Sequence, residues 1–307
     1  MAATAARCGS GLGSGSGSSS AGEFDVCAAE FRDKGFAVVP GFLHPAELAE
    51  ALGRLDEYQR SVLPLLEPTR AFFTDPDDLT SVRMIDFGGG PAAAPEVDHS
   101  FFLGMSARPR FRELGVACLG EGIQRPATPE SADSPDAGGL ALFNKTAGKS
   151  GETPPHQDNH YFCLSPPNCL TIWVALDAVT RETGALRYLP RSHLEGVCRP
   201  HTASFNLGFS QTLVEYSDAD RAAEEVVDWL QPGDAVVHHC QIIHRADENT
   251  ADVASGLQRR AFGVVYRGES CEVDVVALAS HVQSLVDQGL PGGGQLREAL
   301  ARDKPRL

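Results

Sequence analysis

The chain has 307 residues, 42% of them apolar, enough to bury a sizeable core in one large domain or two small ones. Its formal net charge of −15 repels a polyanion on average, which excludes nucleic acid as the expected partner. No apolar run approaches the roughly 20 residues that a membrane-spanning helix needs.

Eight cysteines form no C-x-x-C pair and follow no secretory segment, so reduced thiols in an intracellular, cytoplasmic protein are expected. Residues 1–22, MAATAARCGSGLGSGSGSSSAG, are a Gly/Ser tract that cannot bury enough apolar surface to fold. A disordered tail is expected there. An organelle leader is the alternative, with Arg7 as its one basic residue. Residues 23–307 read as a single domain.

In chain order, FAVVPGFL (36–43) is β-rich, and the helix after it starts at Pro45, a residue suited to the first helical position. Leu48, Leu52 and Leu55 recur at helical spacing and predict a packed face. SVRMIDF (81–87) predicts a strand, residues 88–97 a loop, and 101–120 a helix. The Pro-rich stretch 123–139 predicts a surface loop. From 140 onward short strands dominate: LALFNK, LTIWVALD, GALRYLP, DAVVHH and RAFGVVYRG. Without a strand–helix alternation, this predicts a mainly β protein: an antiparallel sandwich or barrel with flanking α-helices. VDVVALASHVQSLVDQGL predicts a helix that PGGGQ ends.

The chemistry concentrates in TPPHQDNHYF, residues 153–162. In an extended segment His156 and Asp158 share one side while Gln157 points away. An imidazole and a carboxylate are two metal ligands. A second histidine would complete the two-His, one-carboxylate set of non-haem Fe(II) oxygenases, which leaves open positions on the metal. His160 continues the alternation, although Tyr161 and Phe162 mark the start of a strand that turns away. Downstream, AVVHHCQIIH offers His238, His239 and His244, and spacing does not choose among them. Arg259 and Arg260 open the next strand, where a buried guanidinium can pair with a carboxylate such as the distal one of 2-oxoglutarate.

These blocks, in this order, resemble the phytanoyl-CoA dioxygenase family of Fe(II)/2-oxoglutarate oxygenases across about residues 30–270. The likeness lies in GFAVVPGFLHPAELAEAL, LFNK followed by PPHQD, TIWVALDAVTRETGALRYLPRSH, and QPGDAVVHHCQIIH. The resemblance implies a double-stranded β-helix, a jelly-roll of the cupin type. It implies Fe(II) on His156, Asp158 and His244. It places Arg259, or else Arg260, on the distal carboxylate of 2-oxoglutarate. Trp173, Gln157, Ala141, Lys145 and Arg83 would border the same cosubstrate. Trp173 also suits a packed core, and Lys145 a solvated strand end. His160, His238 and His239 would support or pack, and His193 would position a loop.

Two features depart from the family pattern. Ala246 stands where a small hydroxyl residue is common, and the segment between His244 and Arg259 is longer. The carboxylate of Asp158 favours hydroxylation, since halogenating relatives carry a small residue there. The implied reaction is hydroxylation of a small-molecule or lipid-like substrate with O2, releasing succinate and CO2, with ascorbate in support. A coenzyme A thioester is not expected, because only Arg108, Arg110 and Arg112 cluster, and loosely. Loops 63–80, 88–100 and 200–225 would shape the pocket. The alternatives are a zinc-dependent hydrolase or isomerase on a cupin-like scaffold and a catalytically silent binding protein.

Overall fold

The computed structural model describes residues 22–66, 71–75, 77–87, 100–124, 140–204 and 211–289. The expected tail, the loops 88–97 and 125–139 and the PGGGQ stretch lie outside these residues.

Strands β1 (Phe36–Val39), β2 (Ala71–Phe73), β3 (Val82–Asp86), β4 (Leu140–Thr146), β7 (Cys169–Ala175), β12 (Ala235–His239) and β14 (Gln258–Arg267) form one sheet, in the order β1-β12-β7-β14-β4-β3-β2. Strands β5 (Thr153–His156), β8 (Leu186–Tyr188), β11 (Glu225–Val227) and β13 (His244–Ala246) form a second, in the order β11-β8-β13-β5. Two small ribbons join β6 (Leu164–Ser165) to β15 (Glu272–Val273) and β9 (His201–Ala203) to β10 (Gln211–Leu213). Among the described residues every strand pairing is antiparallel. The fold is a double-stranded β-helix, as the strand pattern and the resemblance led one to expect.

Helices α1 (Asp25–Lys34), α2 (Pro45–Ser61), α3 (Ser100–Ser106) and α4 (Pro109–Leu119) cover the outer face of the large sheet. The alternation along β7 explains this arrangement. Leu170, Ile172 and Val174 pack among helix residues such as Phe31, Leu55 and Phe111, while Trp173 and Ala175 join the core between the two sheets. Helix α2 starts at Pro45 with a capping box: Ala46 N–H donates to His44 Nδ1, and His44 N–H to Glu47. Leu55 is buried and Leu48 and Leu52 pack beside it. The single helix read at 101–120 is two, because Pro109 starts a new helix after the turn at 107–108.

Phe262 on β14 sits in the helix-facing core, fully buried and edge-on to Phe87 and Phe102. Phe262→Ala should cost about 3–5 kcal/mol in urea unfolding, from lost burial plus the cavity left behind. A loss below about 1 kcal/mol would mean that this core collapses freely around the gap.

Candidate metal centre and cosubstrate pocket

Strand β5 ends at His156, and its cross-strand partner on β13 is His244. That register puts the two rings 4.2 Å apart. Asp158 lies beyond the strand in helical backbone conformation, so the chain turns its carboxylate back toward both rings. Oδ1 lies 3.5 Å from His156 Nε2 and 3.7 Å from His244 Nε2.

The protons of the two imidazoles are assigned by their other nitrogens. His156 Nδ1 is 2.8 Å from the Pro154 carbonyl and His244 Nδ1 3.1 Å from that of Ile242. A carbonyl only accepts, so each Nδ1 carries a hydrogen and each Nε2 is turned toward Asp158. Two ring nitrogens and a carboxylate oxygen therefore converge on one point. The donor set of two nitrogens and one oxygen suits Fe(II) or Zn(II). Among the described residues this is the one group of histidine, cysteine and acidic side chains gathered closely enough to hold a metal. Burial pushes Asp158 up, but His244, His156 and His238 outweigh it and hold the carboxyl well below its usual range. Burial, then His156, brings His244 down to about 3.

The other oxygen of Asp158 is held from the large sheet. Thr171 Oγ1 donates to Oδ2 at 3.1 Å, and His238 Nε2 approaches it at 3.4 Å. Thr171 and His238 are direct partners across β7 and β12. His238 Nδ1 in turn meets the Tyr188 hydroxyl at 3.3 Å, and the Tyr188 ring stacks on His244. Of the three downstream histidines, then, His244 joins the centre and His238 braces it. His239 faces the other way, toward Phe31 and His193. His193 lies under Gly35 at the end of α1 and approaches the Arg32 carbonyl.

Next to the centre, between the sheets, is a cavity of about 510 Å³. Arg83, Ala141, Lys145, Trp173 and Arg259 all line it. Arg259 is buried with its guanidinium 5.1 Å from the Trp173 ring. Its Nε has no hydrogen-bond partner, and no carboxylate of the described residues lies within ion-pair distance. Burial brings the group down to about 10, so it stays charged at neutral pH. Arg260, next in the strand, faces outward: it grips Asp177 with two bonds of 2.9 Å and reaches Asp56. Strand alternation separates the two arginines that sequence left open.

Arg83 enters by a different route. The β2–β3 register slips between Phe72 and Phe73, leaving Arg83 as the extra residue of a bulge. Bulges re-aim side chains, and this one turns Arg83 into the cavity while Val82 and Ile85 stay in the helix-facing core.

Two expectations are corrected. Gln157 does not border the cavity: its amide donates to the Gln241 carbonyl at 2.7 Å, and its oxygen accepts from Arg199 N–H at 2.7 Å. The segment after Asp158 is not a strand but a helical turn, α5 (Asn159–Phe162). That turn carries His160 away to Gln211, stacked on His201 at 3.9 Å. Sequence reasoning missed Thr171 and Tyr188. Alternation with Trp173 along β7 could have found Thr171, but nothing in the sequence signals Tyr188. From the expected pocket loops, Phe72 lines the cavity; residues 67–70, 76, 88–99 and 205–210 lie outside the described residues. No described helix is long and apolar enough to cross a membrane.

Similarity to known proteins identifies the family. The family model for phytanoyl-CoA dioxygenase (PhyH) matches residues 31–255. The chain is 33% identical over 130 residues to phytanoyl-CoA dioxygenase 1 of Oryza sativa subsp. japonica, covering 42% of this chain and 43% of that one. It is 30% identical over 153 residues to phytanoyl-CoA dioxygenase of Arabidopsis thaliana, covering 49% and 48%. It thus spans about half the length of these relatives. Among solved structures, the epimerase SnoN in complex with Fe3+, alpha ketoglutarate and nogalamycin RO has a TM-score of 0.57 at 21% identity, covering 88% and 91%. EctD from S. alaskensis with 2-oxoglutarate and 5-hydroxyectoine has 0.57 at 17%, covering 79% and 75%. At such identities these likenesses speak for the fold.

Proposed function

The chain belongs to the phytanoyl-CoA dioxygenase family, and from that premise we propose that it is an Fe(II)- and 2-oxoglutarate-dependent dioxygenase that hydroxylates a small molecule. The observation that carries the proposal is the joining of two things in one cavity. One is a cluster of three metal-ligand atoms within 4.8 Å of one another; the other is a buried guanidinium with no acidic partner within ion-pair distance among the described residues.

His156, Asp158 and His244 would hold the iron. Bound there, iron supplies the activation of O2 that couples loss of CO2 from 2-oxoglutarate to oxidation of the substrate. The chain's own part is to bind, orient and exclude water. Arg259 holds the distal carboxylate through charge-assisted bonds in a desolvated setting, with Trp173 packed on its face. Arg83, aimed inward by its bulge, adds a second positive charge nearby. Ala141 and Ala246 are small residues in the cavity wall that leave room for the cosubstrate.

The remaining wall favours an apolar substrate. Phe72, Met84, Phe162 and Val265 border the cavity. Two of the three arginines that cluster in 108–112 are engaged elsewhere. Arg108 pairs with Glu47, and Arg110 pairs with Glu23 while lying over Phe24 and Phe42. A succinate-release screen with Fe(II), ascorbate and a library of apolar small molecules tests the reading. Stimulation by such a compound supports it; stimulation by acyl-CoA thioesters alone would overturn the substrate class.

The brace on Asp158 makes a separate prediction. His238→Phe removes one support of Oδ2 while keeping a ring in place. It should weaken metal binding about 10- to 100-fold, the usual cost of losing an outer partner of a ligand. Titration with Co(II), followed by its visible absorption, measures this. Unchanged affinity would make His238 a packing residue.

A further inference from the structure

The pocket holds a third basic side chain whose placement is as specific as that of the two arginines. Lys145 on β4 is the direct cross-strand partner of Arg259 on β14. Its side chain is 1% exposed, and its Nζ donates to the Gly151 carbonyl at 2.5 Å. No carboxylate of the described residues lies within ion-pair distance of it. Gly184 leaves room for the chain: a Cβ there would sit 3.1 Å from Lys145 Cδ and 2.7 Å from the Asp247 carbonyl oxygen. The backbone thus lets Lys145 run buried into the cavity that Arg83 and Arg259 share.

The charges facing Lys145 come from four places. Arg259 stands on β14 and Arg83 on β3; Glu152 lies between β4 and β5, and Asp247 just after β13. Burial is the largest influence and the two arginines the next, and together they bring the amine down to about 6 against the weaker pull of the two acids. The cavity wall therefore carries two guanidinium groups and, at neutral pH, an amine that is largely uncharged.

Resting on the 2-oxoglutarate reading above, we propose that Lys145 is a third donor to the distal carboxylate of the cosubstrate and takes up one proton from solvent as that carboxylate binds. The arriving anion offsets the field of the two arginines. The amine lone pair then accepts a proton, giving an ammonium beside a carboxylate. No other bond forms or breaks. By linkage, cosubstrate affinity falls as pH rises between the amine's free and bound ionisation ranges, by up to about tenfold per pH unit.

The test is calorimetric titration of 2-oxoglutarate into the Mn(II)-loaded chain near neutral pH, in two buffers of different ionisation enthalpy. The wild type should take up close to one proton per cosubstrate bound, about the full charge change of one amine. Lys145→Met should take up almost none and bind about tenfold more weakly, the loss of one charge-assisted bond. Lys145→Arg carries a fixed charge, so it should recover affinity without uptake. 2-Oxobutanoate, which keeps the chelating end but lacks the distal carboxylate, should bring in no proton. Binding of 2-oxoglutarate without uptake, uptake surviving in Lys145→Arg, or equal uptake with 2-oxobutanoate would each overturn the inference. Failure of the wild type to bind 2-oxoglutarate at all would instead overturn the cosubstrate reading beneath it.

Discussion

His156→Ala should abolish both iron binding and 2-oxoglutarate turnover while leaving the fold intact. The proposed metal centre has three protein ligands, and His156 would supply one of its two nitrogens. With that nitrogen gone, Asp158 and His244 form a two-point site, and the affinity should fall at least about 100-fold, or about 2.7 kcal/mol. The fold should persist, because β5 is held by backbone pairing with β13 and the imidazole's bond to Pro154 is local. Equilibrium dialysis against a chelator measures the metal, and far-UV circular dichroism checks the fold. His239→Ala is the control: its ring faces Phe31 and His193, so iron should bind as in the wild type. Wild-type iron binding and turnover in His156→Ala would remove the proposed centre.

The second large effect belongs to Arg259. Arg259→Gln keeps a polar side chain but deletes the charge that would face the distal carboxylate. Hydrogen bonds to charged groups contribute about 1.5–3 kcal/mol, so the 2-oxoglutarate concentration giving half-maximal rate should rise roughly 10- to 150-fold. The maximal rate should change much less, because the proposed role of Arg259 is to hold the end of the cosubstrate away from the metal. Arg260→Gln separates role from position: it breaks the outward pair with Asp177 and should affect stability rather than half-saturation. The reverse pattern, with Arg260→Gln raising half-saturation and Arg259→Gln leaving it alone, would reassign the anchor.

These predictions rest on residues of unequal visibility in the sequence. His156 and Asp158 stand out because their spacing is two. That spacing pointed to two side chains that do come together, but for an incomplete reason, since Asp158 lies past the end of the strand and is brought round by helical backbone. By spacing alone His244 was one of three histidines; the family resemblance pointed to it, and the β5–β13 register sets it opposite His156. Arg259 was the preferred anchor with Arg260 as the alternative, and strand alternation puts Arg259 in the cavity wall and Arg260 on Asp177. Gln157 looked like a cosubstrate contact because it lies between two ligands. Instead it links this segment to Arg199 and Gln241, the turns that hold the centre from outside.

What stayed hidden is what depends on sheet pairing. The bulge that aims Arg83 inward arises from a register slip between two strands, which no local pattern records. The same holds for the brace on Asp158, whose Thr171 and His238 lie 67 positions apart and meet across β7 and β12. The strands themselves were legible, because β-branched and aromatic runs bounded by Gly and Pro mark them in any context. His160 was misread as a strand residue because Tyr161 and Phe162 favour strands; tertiary packing imposed a helical turn there.

The central claim is that one cavity couples an iron centre to 2-oxoglutarate. The most direct measurement is release of labelled CO2 from C1 of 2-oxoglutarate by the Fe(II)-loaded chain in air. The account predicts labelled CO2 and succinate in equal amounts, both lost when iron or O2 is withheld and both lost in His156→Ala. Metal and 2-oxoglutarate bound together without any release of label would contradict it, as would a chain that holds zinc and leaves 2-oxoglutarate intact even after exchange to iron.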